Sequence, residues 1–171
     1  MANFPNQPGR SNERNPRRPQ DFQPQRGPGG GGQLPTPTKL SYFKGEDKKM
    51  LDPELLDERS IEWAQKFIAS QTPLKTAQMR RFYDDLKAIE RKIMTGKDSQ
   101  EQEANFKRDW SLVVMFKAKA VYAEKRRVSP REFTQFIFDH VGSIRDLKDF
   151  KAFIKVFEAV VAFHKFFSPE R

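Results

Sequence analysis

Arg80, Arg81, Lys87 and Arg91 recur within one short stretch, and Lys119, Arg126 and Arg127 follow later with Tyr122 among them. Guanidinium and ammonium groups at this spacing neutralise phosphates. A tyrosine ring beside them offers a face on which an unpaired base stacks, worth about 1–3 kcal/mol. That chemistry holds a polyanion and breaks no bond. Residues for bond chemistry are few. The absence of cysteine removes disulfides, thiolate metal sites and cysteine nucleophiles together. The two histidines, His140 and His164, have no metal-ligand spacing, and no nucleophile elbow or phosphate loop surrounds the serines. His164 falls on the apolar face of its helix and reads as a packed, hydrogen-bonded residue. No metal, no cofactor and no enzymatic activity is expected.

The cations have a second reading. Asp84 and Asp85 follow Arg80 and Arg81 by four residues, which predicts the pairs Arg80–Asp84 and Arg81–Asp85 on a solvated face, each worth about 0.2–0.5 kcal/mol. Base before acid is the poorer order against the helix dipole, and a helix start favours carboxylates over arginines. Phosphate binding and a solvated face therefore account for this stretch equally well. For Lys119, Tyr122 and Arg126 the alternative is a tyrosine packed at the edge of the fold with cations that keep it soluble.

Helices must position these groups. Asp52-Pro53 pairs a capping side chain with proline at a first helical position, and Leu56, Trp63 and Phe67 then recur at helical spacing, which predicts a helix over 53–70. Pro73 breaks the chain and Thr76 caps a second helix. Met79, Phe82, Leu86, Ile89 and Ile93 line its inner face, and Gly96 stands as its C-terminal cap. At about 100° per residue, Arg80, Asp84, Lys87 and Arg91 lie in a row opposite, with Arg81 and Lys92 beside it. A third helix is expected over 103–125, after an acidic, Gln-rich connection. Its segment Leu112-Val113-Val114-Met115-Phe116 is apolar all round, as for a helix enclosed by neighbours or with a second face for another subunit. Ser129-Pro130-Arg131-Glu132 reads as a capping box opening a fourth helix to about Val141, and a fifth starts near Asp146. On that last helix Phe163 and Phe166 point away from the face of Phe153 and Phe157, as for a protein partner. With no strand-length alternation, the fold class is all-α, a single bundle of about five helices.

The bundle does not take up the whole chain of 171 residues. Residues 1–39 hold eight prolines, six glycines and no Ile, Val, Trp or Tyr, a composition too poor in apolar surface to offset its ordering entropy. The expected organisation is a disordered basic arm over 1–46 and a helical domain over 47–171. The net charge of +9 divides between them, with six Lys/Arg against two Asp/Glu in residues 1–39 and 26 against 21 beyond. Such a balance suits nucleic acid or an anionic surface. No apolar run approaches a membrane span and no secretory signal opens the chain, so a cytoplasmic location is expected.

Three segments in order, TAQMRRFYDDLKAI from Thr76, KAKAVYAEKR from Lys117 and FIKVFEAVVAFHKFF from Phe153, resemble a known family. It is the small subunit of the type III-A CRISPR effector, the Csm complex. The resemblance covers about Leu51 to Phe167. It implies a helical bundle without a catalytic centre, stacked in more than one copy beside a filament of backbone subunits, that holds guide RNA paired with target RNA in antiviral defence. By matching positions, Arg80, Arg81, Lys119 and Arg126 would face RNA, while Gln78 and Glu158 would fix helices against each other. The arm is not a family feature, and Glu124-Lys125 stand where the family often has small residues. A scaffold that bridges proteins, with incidental RNA contact, is the alternative function.

Overall fold

The computed structural model describes Met1 and residues 32–169. Most of the expected Pro/Gly-rich arm, residues 2–31, lies outside the described residues. Two-residue strands β1 (Phe43–Lys44) and β2 (Met50–Leu51) pair antiparallel ahead of six helical segments. Asp52 caps α1 (Pro53–Leu56), its carboxylate accepting from Glu54 N at 3.1 Å. The single helix expected over 53–70 is divided at Asp57, and α2 (Glu58–Ala69) follows. Ser60 Oγ donates to Leu55 O at 2.5 Å, the carbonyl that a continuous helix would give to a backbone amide.

Helix α3 (Thr76–Ile93) buries the predicted stripe of Met79, Phe82, Leu86, Ile89 and Ile93. Lys75, not Thr76, is its N-cap, and no side chain caps it. Gly96 serves close approach rather than a left-handed cap, because a Cβ there would stand 2.6 Å from Gln102 N. Helix α4 (Ser99–Lys125) starts earlier than expected, since Asp98 Oδ1 accepts from Gln100 N and Glu101 N at 2.9 Å each. A cap of this kind leaves no apolar periodicity in the sequence. Before α5 (Arg131–Ser143) the predicted capping box does not form: Pro130 is itself the N-cap, and the buried Ser129 Oγ has no partner among the described residues. Asp146 caps α6 (Leu147–Phe167) by accepting from Asp149 N at 2.9 Å.

Helix α6 is central, against α2 on one side and α3 on the other, while α4 bridges α3 and α5. Aromatic rings fill the space between them. Phe133 meets Phe67 edge-on at 5.4 Å and Phe82 at 4.8 Å, and Phe153 stacks on Phe157 at 5.8 Å. Each buried phenylalanine stabilises the fold by about 1.5–3 kcal/mol.

The helical unit begins at Gln33, so part of the segment assigned to the arm belongs to it. Residues 33–42 form a strap along α5. Asp139 Oδ1 accepts from Thr38 N at 2.7 Å, Ser143 Oγ from Leu40 N at 2.8 Å, and Gln135 Nε2 donates to Thr36 O at 2.8 Å. Tyr42 is buried, and its hydroxyl lies 2.9 Å from His140 Nδ1. Polar side chains of α5 thus order a proline-rich segment that has no periodicity of its own. Among the described residues no helix is long and apolar enough to cross a membrane.

Candidate nucleic-acid interface

Helices α3 and α4 lie side by side, and each presents a row at i, i+3 and i+7 to the groove between them. Gln78, Arg81 and Asp85 of α3 face Lys119, Tyr122 and Arg126 of α4 across an open cleft of about 230 Å³. Phe82, Ala123 and Val128 form its floor. The structure therefore brings together Arg81, Lys119, Tyr122 and Arg126, four residues singled out by type and spacing.

Their charges are unequally committed. Lys119 Nζ pairs with Asp85 Oδ2 at 2.7 Å across the groove, and both side chains are about half exposed. Such a pair contributes about 0–1 kcal/mol. Arg81 forms no ion pair among the described residues, and neither predicted pair, Arg80–Asp84 or Arg81–Asp85, is made. Asp85 turns to α4 instead. Arg126 lies over the Tyr122 ring, 5.5 Å from its centroid, and Tyr122 is 64% exposed. The guanidinium is held by the ring and meets no carboxylate among the described residues, so its donors are open to an anion.

The end of α4 adds one more cation. Val128 N bonds to Ala123 O at 3.0 Å and Arg127 N to Glu124 O at 2.8 Å, closing the helix with Arg127 at φ 56°. Glycine is the usual residue there, and a side chain in this left-handed conformation costs about 1 kcal/mol. Arg127 is exposed.

The remaining predicted residues lie elsewhere. Arg80 and Arg91 are exposed on the outer side of α3, away from α4. Lys87 is half-buried on the α6 side and hydrogen-bonds Glu90, whose carboxylate raises its pKa. The row drawn opposite the apolar stripe is thus divided, because α4 docks on one flank of α3 and takes up Arg81 rather than its neighbours. Gln78 lines the cleft and makes no side-chain hydrogen bond among the described residues. Burial first, and the carboxylate of Glu158 on α6 second, raise the pKa of Tyr83 on α3.

Sequence reasoning missed the polar ties between α3 and α4. Lys92 Nζ reaches Asp109 at 3.0 Å, and Arg108 with Lys92 holds that carboxyl down to about 2. Residues so far apart in the chain leave no local signal. The histidines stand apart from the cleft. His164 is buried, with Nε2 2.8 Å from Leu74 O, and burial pushes the imidazole of His140 down to about 3.

Among the described residues, exposed apolar groups include the end of α6 and one face of α4. Phe166 at the end of α6 is 79% exposed and Phe163 is half-buried. On α4, Val113 and Phe116 are buried while Leu112, Val114 and Met115 are exposed, so that helix has the second apolar face its sequence suggested.

No curated protein and no solved structure matches the chain. The family model for Csm2, type III-A, matches residues 50–170, a span that contains α3, α4 and the whole of the cleft between them. The chain belongs to the Csm2 family, the small subunit of the type III-A Csm complex.

Proposed function

We propose that this subunit is a non-catalytic RNA-binding component of a type III-A CRISPR interference complex, acting in the cytoplasm in antiviral defence. It grips the phosphate backbone of the guide/target RNA duplex in the α3–α4 cleft. The observation that carries this reading is the pair of uncommitted guanidiniums, Arg81 on α3 and Arg126 on α4, in one cleft with Lys119. Arg127 lengthens the cationic edge, and Arg80 and Arg91 add long-range attraction from the outer face of α3. Contacts to phosphates set position and carry no sequence information, as a subunit serving any guide requires. Tyr122 presents its ring to a sugar or an unstacked base.

The test is the salt dependence of duplex RNA binding by the full chain. Each phosphate released from contact flattens the plot of log affinity against log salt by about 0.9. Arg81→Gln with Arg126→Gln is expected to flatten it by about 2 with thermal unfolding unchanged, since neither group is paired to a carboxylate. Loss of the fold with unchanged RNA affinity would make both arginines structural.

Phe166 and the exposed face of α4 favour an accompanying role as a contact surface for backbone subunits and a second copy of this chain. Self-association of the isolated chain, measured by native mass, is expected to weaken in Phe166→Ser. Self-association unaffected by RNA, together with an unchanged salt slope in the arginine variant, would favour the protein scaffold as the main function.

A further inference from the structure

Helix α4 has a second flank. There Phe106, Lys107 and Trp110 face the corner between α5 and α6, where Ile144 and Arg145 complete a depression of about 330 Å³. Trp110 is half-buried, its ring tilted against Phe106 at 5.5 Å. Lys107 is exposed and forms no ion pair among the described residues.

Arg145 is the built part of this place. Its Nε and backbone N donate to Asp149 Oδ2 at 3.1 and 3.0 Å, and Asp149 is fully buried. The other oxygen of Asp149 takes Lys48 Nζ at 2.7 Å. Lys48 stands at φ 51°, a conformation that L residues avoid, and its ammonium also meets Asp146 at 2.6 Å. The buried carboxylate is thus satisfied from the side of Lys48, and it holds the Arg145 side chain by one nitrogen only. The terminal nitrogens of Arg145 make no hydrogen bond among the described residues, and the side chain is 69% exposed. A guanidinium fixed at its root and open at its tip loses little freedom on taking an anion.

Two open cations, an indole, a phenyl ring and no carboxylate line the depression. Asp109, the nearest acid along that helix, is buried and paired with Lys92 and Arg108, and neither it nor Glu103 lines the depression. An acidic peptide would use the cations and leave the rings idle. We propose that this depression binds one unpaired nucleotide of single-stranded RNA, the base on Trp110 and the phosphate on Arg145 and Lys107. It is independent of the α3–α4 cleft, which opens on the opposite flank of α4 and takes phosphates of a duplex.

Trp63 and Trp110 are the only tryptophans, so Trp63→Phe in the full chain leaves Trp110 as the sole indole reporter. A six-nucleotide oligoadenylate is expected to quench its emission saturably at low salt. Arg145→Gln with Lys107→Gln in the same background should raise the half-saturating concentration about tenfold, and Lys107→Gln alone, at an exposed position, by less in the same direction. Duplex RNA and oligoglutamate should leave the emission unchanged, and Lys119→Gln with Arg126→Gln should leave the quench intact. Absence of quenching, quenching unaltered by the loss of Arg145 and Lys107, or equal quenching by oligoglutamate would overturn the proposal while the duplex cleft stands on its own test.

Discussion

Lys119 Nζ stands 2.7 Å from Asp85 Oδ2, so this ammonium of the candidate interface is tied across the groove while the guanidiniums of Arg81 and Arg126 are not. Asp85 both aligns α3 with α4 and cancels one positive charge on the proposed RNA-facing surface. Asp85→Asn is expected to steepen the salt dependence of RNA binding by about 0.9, one more phosphate neutralised, with stability within about 0.5 kcal/mol of the parent. Filter binding over a salt series, with thermal unfolding alongside, separates the two effects. Weaker RNA binding in this variant would mean that the alignment matters more than the charge.

Arg127 offers a sharper separation of stability from function. Its left-handed backbone suits glycine, so Arg127→Gly should raise stability by about 0.5–1 kcal/mol and the unfolding midpoint by a few degrees, while RNA affinity falls. A variant that gained stability and kept its affinity would remove Arg127 from the interface.

The pH dependence of stability follows from His140, packed among Tyr42, Trp63, Phe136 and Phe153, with Arg59 as the charged group acting on it. Burial first, and Arg59 second, hold its folded pKa at about 3, against about 6.5 in the unfolded chain. As pH falls the unfolded chain takes up the proton first. Stability that is complete above pH 6.5 is therefore lost as the pH drops toward 3, by roughly 4–5 kcal/mol. His164, also lowered by burial, adds to the loss in the same direction. His140→Phe should flatten the curve in that window at a cost of about 1 kcal/mol at neutral pH, because the Tyr42 hydroxyl keeps His140 O at 3.1 Å as its acceptor. Chemical denaturation at a series of pH values reads both.

Lys48 is expected to matter for folding out of proportion to its place in a short hairpin. Lys48→Met leaves the fully buried Asp149 with Arg145 as its remaining cation and should cost about 3–5 kcal/mol. A chain trimmed to residue 50, where the family match begins, loses Tyr42 and Lys48 together and should melt lower than one trimmed to residue 33. Equal melting of the two would show that the strap is ornamental.

The helices were legible where a local signal exists. The stripe from Met79 to Ile93, the cap at Asp52 and the helix start near Asp146 appear at the residues foretold. Helix α4 starts early because its first turn is polar, and the apparent capping box at Ser129 fails because proline takes the cap position itself. The strap was opaque, since nothing in a run such as Pro35-Thr36-Pro37 announces the side chains of α5 that bind it. Half the site was legible too. Lys119, Tyr122 and Arg126 share a helix face by spacing alone, but the choice of Arg81 over Arg80 and Lys87 depended on which flank of α3 receives α4.

The central claim is that RNA lies against the α3–α4 cleft, and photo-crosslinking in the assembled type III-A complex tests it most directly. Ultraviolet irradiation of the complex loaded with guide and target RNA, followed by tryptic digestion, should yield an RNA adduct on the peptide 120–125, which carries Tyr122. Adducts on other subunits, with that peptide unmodified, would contradict it.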